Sequence, residues 1–145
     1  MFAISSPDSV WDVTITETNT DATGYVLAEN PYNPVKEGWQ YVLGRMNSEV
    51  NTNLKSSRAG QPTSPSSVMP VFIGSDGKIY EIWNDDNSAV VLTEAWISQP
   101  EIILQVGVTS SGLFAIQVPS TAIRGGHFAS RNETKGTLTH FGPAQ

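Results

Sequence analysis

Strict alternation of apolar and polar residues marks the first clear element of the chain. Trp11, Val13 and Ile15 alternate with polar residues, which is the period-two pattern of a half-buried strand. A turn cluster follows, and the short apolar run at 25–28 predicts a returning strand. Residues 10–28 are therefore expected to form a hairpin.

The segment 35–54 carries a different pattern, in which apolar residues lie three and four positions apart. These residues are Val35, Trp39, Leu43, Met46, Val50 and Leu54. The spacing favours one helix of about 20 residues, which Pro34 would open. Gly38 and Gly44 argue against it, since a glycine inside a helix costs about 1 kcal/mol relative to alanine. The alternative is a strand at 39–43 followed by a polar loop.

The second half of the chain predicts short strands joined by tight turns. A stretch at 55–68 that is rich in Ser, Pro and Gly predicts an exposed loop. Residues 74–77, Gly-Ser-Asp-Gly, give a strong hairpin signal. The predicted strands lie at 70–73, 78–83, 89–97, 101–108 and 113–118. Strands that follow one another so closely predict an antiparallel meander, and residues 137–141 are expected to add a final strand.

Together these patterns predict one mainly β domain over residues 1–145. The fold class they favour is an antiparallel β-sandwich or squat barrel. The meander at 70–118 would supply its main sheet and the N-terminal hairpin would complete it. The helix around residues 35–54 would pack across an open face.

Composition and charge narrow the classes of protein to which the chain can belong. The sequence has no cysteine, which excludes disulfides and thiolate metal sites. Its net charge of −6 disfavours binding to phosphate backbones, so we expect no nucleic-acid partner. No apolar stretch approaches the roughly 20 residues that cross a bilayer, and the N-terminus lacks the basic and apolar regions of a signal peptide. We therefore expect no membrane partner and a protein that is cytoplasmic or carried in a virion.

The familiar catalytic and nucleotide-binding motifs do not occur in the sequence, which favours a protein that is not an enzyme. His127 and His140 lie among charged residues near the C-terminus, and acid–base hydrolysis through them is a hypothesis without a specific spacing behind it. Residues 84–87, Asn-Asp-Asp-Asn, gather oxygen atoms that suit Ca²⁺. Tight turns select the same residues, so we predict no metal and no cofactor.

Aromatic residues beside Asn and Asp form the pattern that bears most directly on function. The candidate ligand-binding residues are Trp39, Tyr41, Trp83, Asn84, Asp85 and Asp86. Trp83 ends a predicted strand directly before the acidic turn, whereas Trp39 and Tyr41 follow the polar segment 30–33. An aromatic ring can cover the C–H face of a pyranose while Asn and Asp bond its hydroxyls. For any single tryptophan the alternative is packing in the core.

Three hypotheses for function follow. The first is a non-enzymatic, lectin-like module that binds carbohydrate through these loop residues, and it is expected to be a homo-oligomer because oligomers gain avidity. The second is a virion structural protein, such as a phage capsid decoration or tail component, which would bind protein partners through its sheet edges. The third, ranked last, is a hydrolase that depends on histidine.

Overall fold

The computed structural model is a two-sheet β-sandwich with two short helices among the described residues. It describes residues 2–4, 11–54, 60, 62–63, 68–82, 91–95, 102–103, 105–132 and 138–143. The strands are β1 (Phe2–Ile4), β2 (Trp11–Asn19), β3 (Trp39–Val50), β4 (Pro62–Thr63), β5 (Val68–Ile73), β6 (Ile79–Glu81), β7 (Ile102–Ile103), β8 (Thr109–Pro119), β9 (His127–Asn132) and β10 (Leu138–Pro143). The helices are α1 (Thr23–Glu29) and α2 (Ser120–Ile123).

Two four-stranded antiparallel sheets make up the sandwich. The first sheet has the strand order β1-β2-β3-β8 and the second has the order β10-β9-β5-β6. Strands β4 and β7 pair in a separate two-stranded sheet. Within the described residues the two large sheets do not close into a barrel. The mainly β, antiparallel fold class is therefore confirmed, in its sandwich form.

The core lies between the two large sheets and is filled from both. The first sheet contributes alternate residues such as Val13 and Ile15 of β2, which are at most 2 % exposed. Phe128 of β9 packs edge-to-face against Phe114 of β8, with ring centroids 5.7 Å apart. It makes a second contact of this kind with Phe72 of β5, at 5.1 Å. Perpendicular ring pairs are a favoured aromatic geometry, so the contact with Phe114 stabilises the packing of the two sheets, and the contact with Phe72 stabilises the pairing of β9 with β5.

An outer layer covers part of the other face of the first sheet. It consists of helix α1 and the segment 91–95, whose apolar residues pack with Val26 against Tyr41 of β3. Asn33 is buried and joins the two parts. Its Nδ2 donates to the carbonyl oxygens of Val26 and Val91, at 3.1 and 3.0 Å, and its Oδ1 accepts the Val91 N–H at 2.9 Å. The amide thus bonds Val91 as a neighbouring strand would.

The helix expected around residues 35–54 is wrong, because strand β3 occupies this part of the chain. The strand alternative at 39–43 is correct for those residues, but the strand continues to Val50. Met46 and Val50 are four positions apart, a spacing that places two residues on one face of a helix and equally on one face of a strand. Residues 41–44 are all buried, because the outer layer covers their second face and conceals the period of two.

The hairpin expected at 10–28 is wrong in its second arm. Its first strand is confirmed as β2, but residues 25–28 lie in helix α1, and β2 pairs with β3 instead. The start of the helix forms two hydrogen bonds with the backbone of Tyr41. The Tyr41 N–H donates to Thr23 Oγ1 at 3.0 Å, and the Tyr41 carbonyl accepts the Ala22 N–H at 3.0 Å. A run of four apolar residues has no period, which leaves helix and strand indistinguishable from the sequence.

The meander expected at 70–118 is wrong beyond its first hairpin. Strands β5 and β6 pair across the turn at 74–77, as predicted. Strand β8, however, pairs along β3 in the other sheet, and the second neighbour of β5 is β9. Alternation indicates which face a residue occupies, but it does not indicate which strand lies beside it.

The remaining strand predictions have mixed outcomes. In the described part of the strand expected at 89–97, Thr93 and Glu94 form a turn. Of the strand expected at 101–108, the described residues place only β7 in a strand. The final strand is confirmed as β10. Most of the loop expected at 55–68 lies outside the described residues. None of the described helices is long and apolar enough to cross a membrane.

Candidate functional site

Two aromatic side chains from different sheets meet at one end of the sandwich. Trp39 opens β3 in the first sheet, and Tyr80 lies in β6 at the edge of the second. Their ring centroids are 5.6 Å apart and the rings are inclined at 85°. The ammonium of Lys36 lies 4.5 Å from the centroid of the Trp39 ring, and the Tyr80 hydroxyl donates to Asp76 Oδ2 at 2.6 Å. We call these four residues the aromatic corner.

The tight turn between β5 and β6 places the tyrosine half of the aromatic corner. Asp76 Oδ1 accepts the Lys78 N–H at 3.0 Å, which fixes the carboxylate over the turn. Gly77 has a φ of +81°, a conformation that favours glycine. Gly74 is required for a different reason: a Cβ there would lie 2.5 Å from Asp76 Oδ1 and 3.0 Å from Tyr80 Cε2. The missing side chain of Gly74 leaves the space that the carboxylate and the ring occupy.

A second turn positions Trp39 and Lys36, the other two residues of the aromatic corner. The Trp39 N–H donates to the Lys36 carbonyl at 3.0 Å, and Gly38 between them has a φ of +79°. The Lys36 N–H donates in turn to Gln117 Oε1 of β8 at 2.9 Å. The backbone of Lys36 is therefore anchored to the first sheet, while its side chain is exposed and reaches the indole ring.

Hydrogen bonding sets the charge of the polar groups at the corner. The bond from the Tyr80 hydroxyl, and after it the bond from the Lys78 N–H, lowers the pKa of the Asp76 carboxyl, so this group is ionised at neutral pH. Burial, together with the Asp76 carboxylate, raises the pKa of Tyr80 to about 12. Tyr80 therefore keeps its proton and acts as the donor. The corner presents one carboxylate, that of Asp76, and one ammonium, that of Lys36, beside two aromatic rings.

The sequence-predicted site residues are found in three different situations. Trp39 lies at the aromatic corner and is partly exposed. Tyr41 is fully buried under the outer layer, and its hydroxyl donates to the Pro34 carbonyl. A direct contact between Tyr41 and a ligand would require the outer layer to open, so this residue is a core residue of the fold. Trp83, Asn84, Asp85 and Asp86 lie outside the described residues, directly after Ile82 in the chain.

Sequence reasoning missed Lys36, Asp76 and Tyr80. Asp76 and Tyr80 do flank a hairpin turn that the sequence predicts, and this is the local signal that brings them together. The contact with Trp39 has no local signal, because it joins strands of opposite sheets that are about forty positions apart in the chain.

The two histidines lie on neighbouring strands of the second sheet. His127 begins β9 and is partly exposed, and the register of β10 places His140 opposite Ala129. The two residues are therefore near one another along the sheet, which sequence separation alone did not predict. Among the described residues no group of three or more His, Cys, Asp or Glu side chains is placed to hold a metal ion.

Comparison with known proteins gives one structural likeness. No protein-family model matches the chain, and no curated protein matches its sequence at a significant level. Among solved structures, the fold is similar to that of a conserved hypothetical protein from Bacillus anthracis, with a TM-score of 0.50 and 6 % sequence identity. The likeness covers 97 % of this chain and 92 % of that one. At this identity it concerns the fold alone.

Proposed function

We propose that the protein is a non-enzymatic binding module whose ligand is a carbohydrate. The observation that carries this proposal is the aromatic corner, where Trp39 and Tyr80 meet at 85° beside the carboxylate of Asp76. Residues 83–86, Trp-Asn-Asp-Asp, follow Ile82 in the chain, and we propose them as the second part of the site.

The chemistry of sugars fits these groups. A pyranose has one apolar C–H face that packs on an aromatic ring and a rim of hydroxyls that need hydrogen-bond partners. Trp39 and Tyr80 are both partly exposed, so each can contribute ring surface without unfolding. The Asp76 carboxylate is ionised and accepts hydroxyl donors strongly, since hydrogen bonds to a charged acceptor are stronger than neutral ones.

Substitution of Trp39 tests the proposal. Isothermal titration with a panel of neutral and amino sugars should detect binding to the native protein, and Trp39→Ala should weaken it about tenfold or more, because a central aromatic contact commonly contributes about 1.4 kcal/mol or more. Tyr32→Ala is the matched control, since Tyr32 is 92 % exposed and lies outside the corner. Circular dichroism of both variants confirms that the sandwich is kept.

Two outcomes would contradict this proposal. Absence of binding to every sugar of the panel would remove the carbohydrate function. Loss of binding in Tyr32→Ala but not in Trp39→Ala would move the site away from the corner. Gel filtration against the 15.7 kDa monomer mass measures the homo-oligomer that avidity favours.

A structural role in a virion, as a capsid decoration or tail component, is a second proposal that strand β8 favours. It has eleven residues and lies at an edge of the first sheet. On its outward side the Leu113 N–H donates to the Glu94 carbonyl at 2.8 Å, and Ala95 forms an isolated parallel bridge with Leu113. A long strand edge of this kind can be extended by a strand of another protein.

A proline placed at this edge separates the two proposals. By alternation from Leu113 the Gln117 N–H also points outward, so Gln117→Pro removes an edge donor and leaves the ladder with β3 intact. Assembly into particles or oligomers should be lost in Gln117→Pro and kept in Gln117→Ala. Both variants lack the side-chain amide of glutamine, but only Gln117→Ala keeps the backbone N–H. A native protein that is monomeric and binds no particle would contradict the assembly role.

A further inference from the structure

The outer layer exposes aromatic and apolar side chains on the side that faces away from the first sheet. Tyr25 is 45 % exposed, Tyr32 is 92 % exposed and Val91 is 59 % exposed. The buried amide of Asn33 bonds the carbonyls of Val26 and Val91, which holds together the parts of the chain that carry these three side chains. Exposed apolar side chains that lie together mark surfaces on which protein partners dock.

Glu29 places an ionised carboxylate beside the exposed ring of Tyr25. Its Oε1 accepts the Tyr25 hydroxyl at 3.1 Å, and its Oε2 accepts the Thr93 hydroxyl at 2.5 Å. The bond from Thr93, and after it the bond from Tyr25, lowers the pKa of the Glu29 carboxyl. Both donors are neutral hydroxyls, so they hold the negative charge in place without cancelling it. Each carboxylate oxygen can accept a further hydrogen bond.

The charge of this surface is negative in excess. Arg45 lies between two carboxylates, with its Nε 3.2 Å from Glu17 Oε2 and its Nη2 2.9 Å from Glu94 Oε2. One guanidinium therefore balances only one of the two, and Glu29 adds a third carboxylate. The bond to Glu29 and burial raise the pKa of the Tyr25 hydroxyl, and the charges of Glu29 and Glu94 raise it further. The charge of Arg45 acts in the opposite direction and does not cancel this rise.

The exposed side chains and these carboxylates form one surface, because Thr93 bonds Glu29 and stands directly before Glu94 in the chain. We call it the tyrosine face, and its residues are Tyr25, Tyr32, Val91, Glu17, Glu29 and Glu94.

We propose that the tyrosine face docks a basic segment of a protein partner, in which an arginine stacks on the ring of Tyr25 and donates to Glu29. A guanidinium is planar, stacks on aromatic faces and bonds carboxylates through its N–H groups, so it suits a tyrosine ring beside a carboxylate. Apolar side chains of the same segment pack on Tyr32 and Val91. The proposal goes beyond the functions proposed above, and the tyrosine face shares no residue with the aromatic corner.

Labelled peptides of equal length test the charge that this surface selects. A serine–glycine background carries arginine, citrulline or glutamate at the same positions, and citrulline keeps the shape of arginine while it removes the charge. Fluorescence anisotropy at low salt should show the native protein binding the arginine peptide most tightly. Added salt should weaken this binding, because it screens exposed charges.

Substitution of Glu29 locates the binding. Glu29→Gln should weaken binding of the arginine peptide about two- to fivefold, the range that corresponds to an exposed ion pair. Glu49→Gln is the matched control, because Glu49 is exposed near the other end of β3 and its loss changes the net charge by the same amount. The control should leave the affinity close to that of the native protein.

Substitution of Tyr25 tests the stacking separately from the charge. Tyr25→Leu should weaken binding about two- to fivefold, since it removes the aromatic face that attracts a cation. Tyr25→Phe keeps that face and should bind about as tightly as the native protein. Circular dichroism of each variant confirms that the fold is kept.

Four results would overturn the proposal. These are no binding of the arginine peptide at low salt, equal affinity for the arginine and citrulline peptides, equal losses in Glu29→Gln and Glu49→Gln, and equal losses in Tyr25→Leu and Tyr25→Phe. Self-association in gel filtration that Glu29→Gln abolishes would also overturn it, because the occupant would then be a second copy of the chain. The sugar titrations are independent of these results, since Tyr25 and Glu29 lie outside the aromatic corner.

Discussion

Single glycines decide where large side chains fit in this protein. In the sequence, Gly44 argues against a helix. In the structure, its missing side chain leaves space for the ring of Phe114. A Cβ at Gly44 would lie 2.6 Å from Phe114 Cζ and 3.3 Å from Ile15 Cγ2, both of them in the core. Gly24 in helix α1 has nothing within 4 Å of the same position. The structure therefore leaves no space for a side chain at Gly44 and leaves space for one at Gly24, a difference that the sequence does not show.

Alanine substitutions separate these roles. Gly44→Ala should lower the free energy of unfolding by about 1–3 kcal/mol, because the new methyl group overlaps the ring of Phe114. Gly24→Ala should raise it by about 0.5–1 kcal/mol, since alanine is the better helix former. Urea denaturation of the two variants measures both changes. Equal effects would contradict the packing that the structure gives to Gly44.

At the scale of elements, the sequence predicts a strand well where one face is buried and the other is exposed to solvent. Strand β2 is such a case, and its alternating burial begins at Trp11 as expected. Strand β3 is covered on both faces over 41–44 and alternates only from Arg45 onward, so its apolar spacing imitates a helix. What covers it, helix α1 and the segment 91–95, depends on contacts between distant parts of the chain, which local patterns do not contain.

One buried amide should contribute much to the stability of the outer layer. Asn33→Ala removes the donor and the acceptor that bond Val91 and the donor to the Val26 carbonyl, and should cost about 1–3 kcal/mol because the Val26 carbonyl is buried and the bonds to Val91 are partly buried. Hydrogen exchange should speed up at the Leu113 N–H, which bonds Glu94 in the same segment. Asn30→Ala is the control, since within the described part of the chain the Asn30 side chain bonds only the nearby Tyr32 N–H. Unchanged exchange at Leu113 in Asn33→Ala would show that the segment is held by other contacts.

For the whole molecule, the sequence predicts a mainly β fold, as a sandwich or squat barrel, but not which of the two forms or the order of the strands. The pairing of β8 with β3 joins segments about seventy residues apart, and alternation in either strand is compatible with many neighbours. The same limit applies to the candidate site. Trp39 was predicted as one of its residues, whereas Tyr80 enters it only because the two sheets stack. The part of Trp83 and residues 84–86 in the site stays a prediction.

Alkaline pH should destabilise the molecule as a whole. Burial raises the pKa of Tyr41 to about 12, and burial with the Asp76 bond does the same for Tyr80. In the unfolded chain both groups lose their protons near their ordinary pKa of 10.0. Between pH 10 and 12 the unfolded state therefore binds fewer protons, and the free energy of unfolding falls as pH rises.

Urea midpoints measured at intervals from pH 9 to about 12 test this dependence. The tyrosine contribution should be complete below pH 10 and lost as pH approaches 12. Tyr41→Phe should make the decline shallower, while Tyr32→Phe should not, because Tyr32 is exposed to solvent in the folded state. A midpoint that rises with pH in this window would contradict the burial of Tyr41.

The segment 91–95 also bears on how the protein is expected to fail under stress. Side chains such as those of Asn33 and Arg45, with one backbone bond to Leu113, hold this segment where a full ladder holds a true strand, so it should open locally before either sheet unfolds. Such an opening uncovers Tyr41 and Leu43 together with the edge of β8, and apolar surface beside an unpaired strand edge is what promotes aggregation. Storage and expression of the protein should therefore depend on the contacts that hold this segment as well as on the packing of its central core.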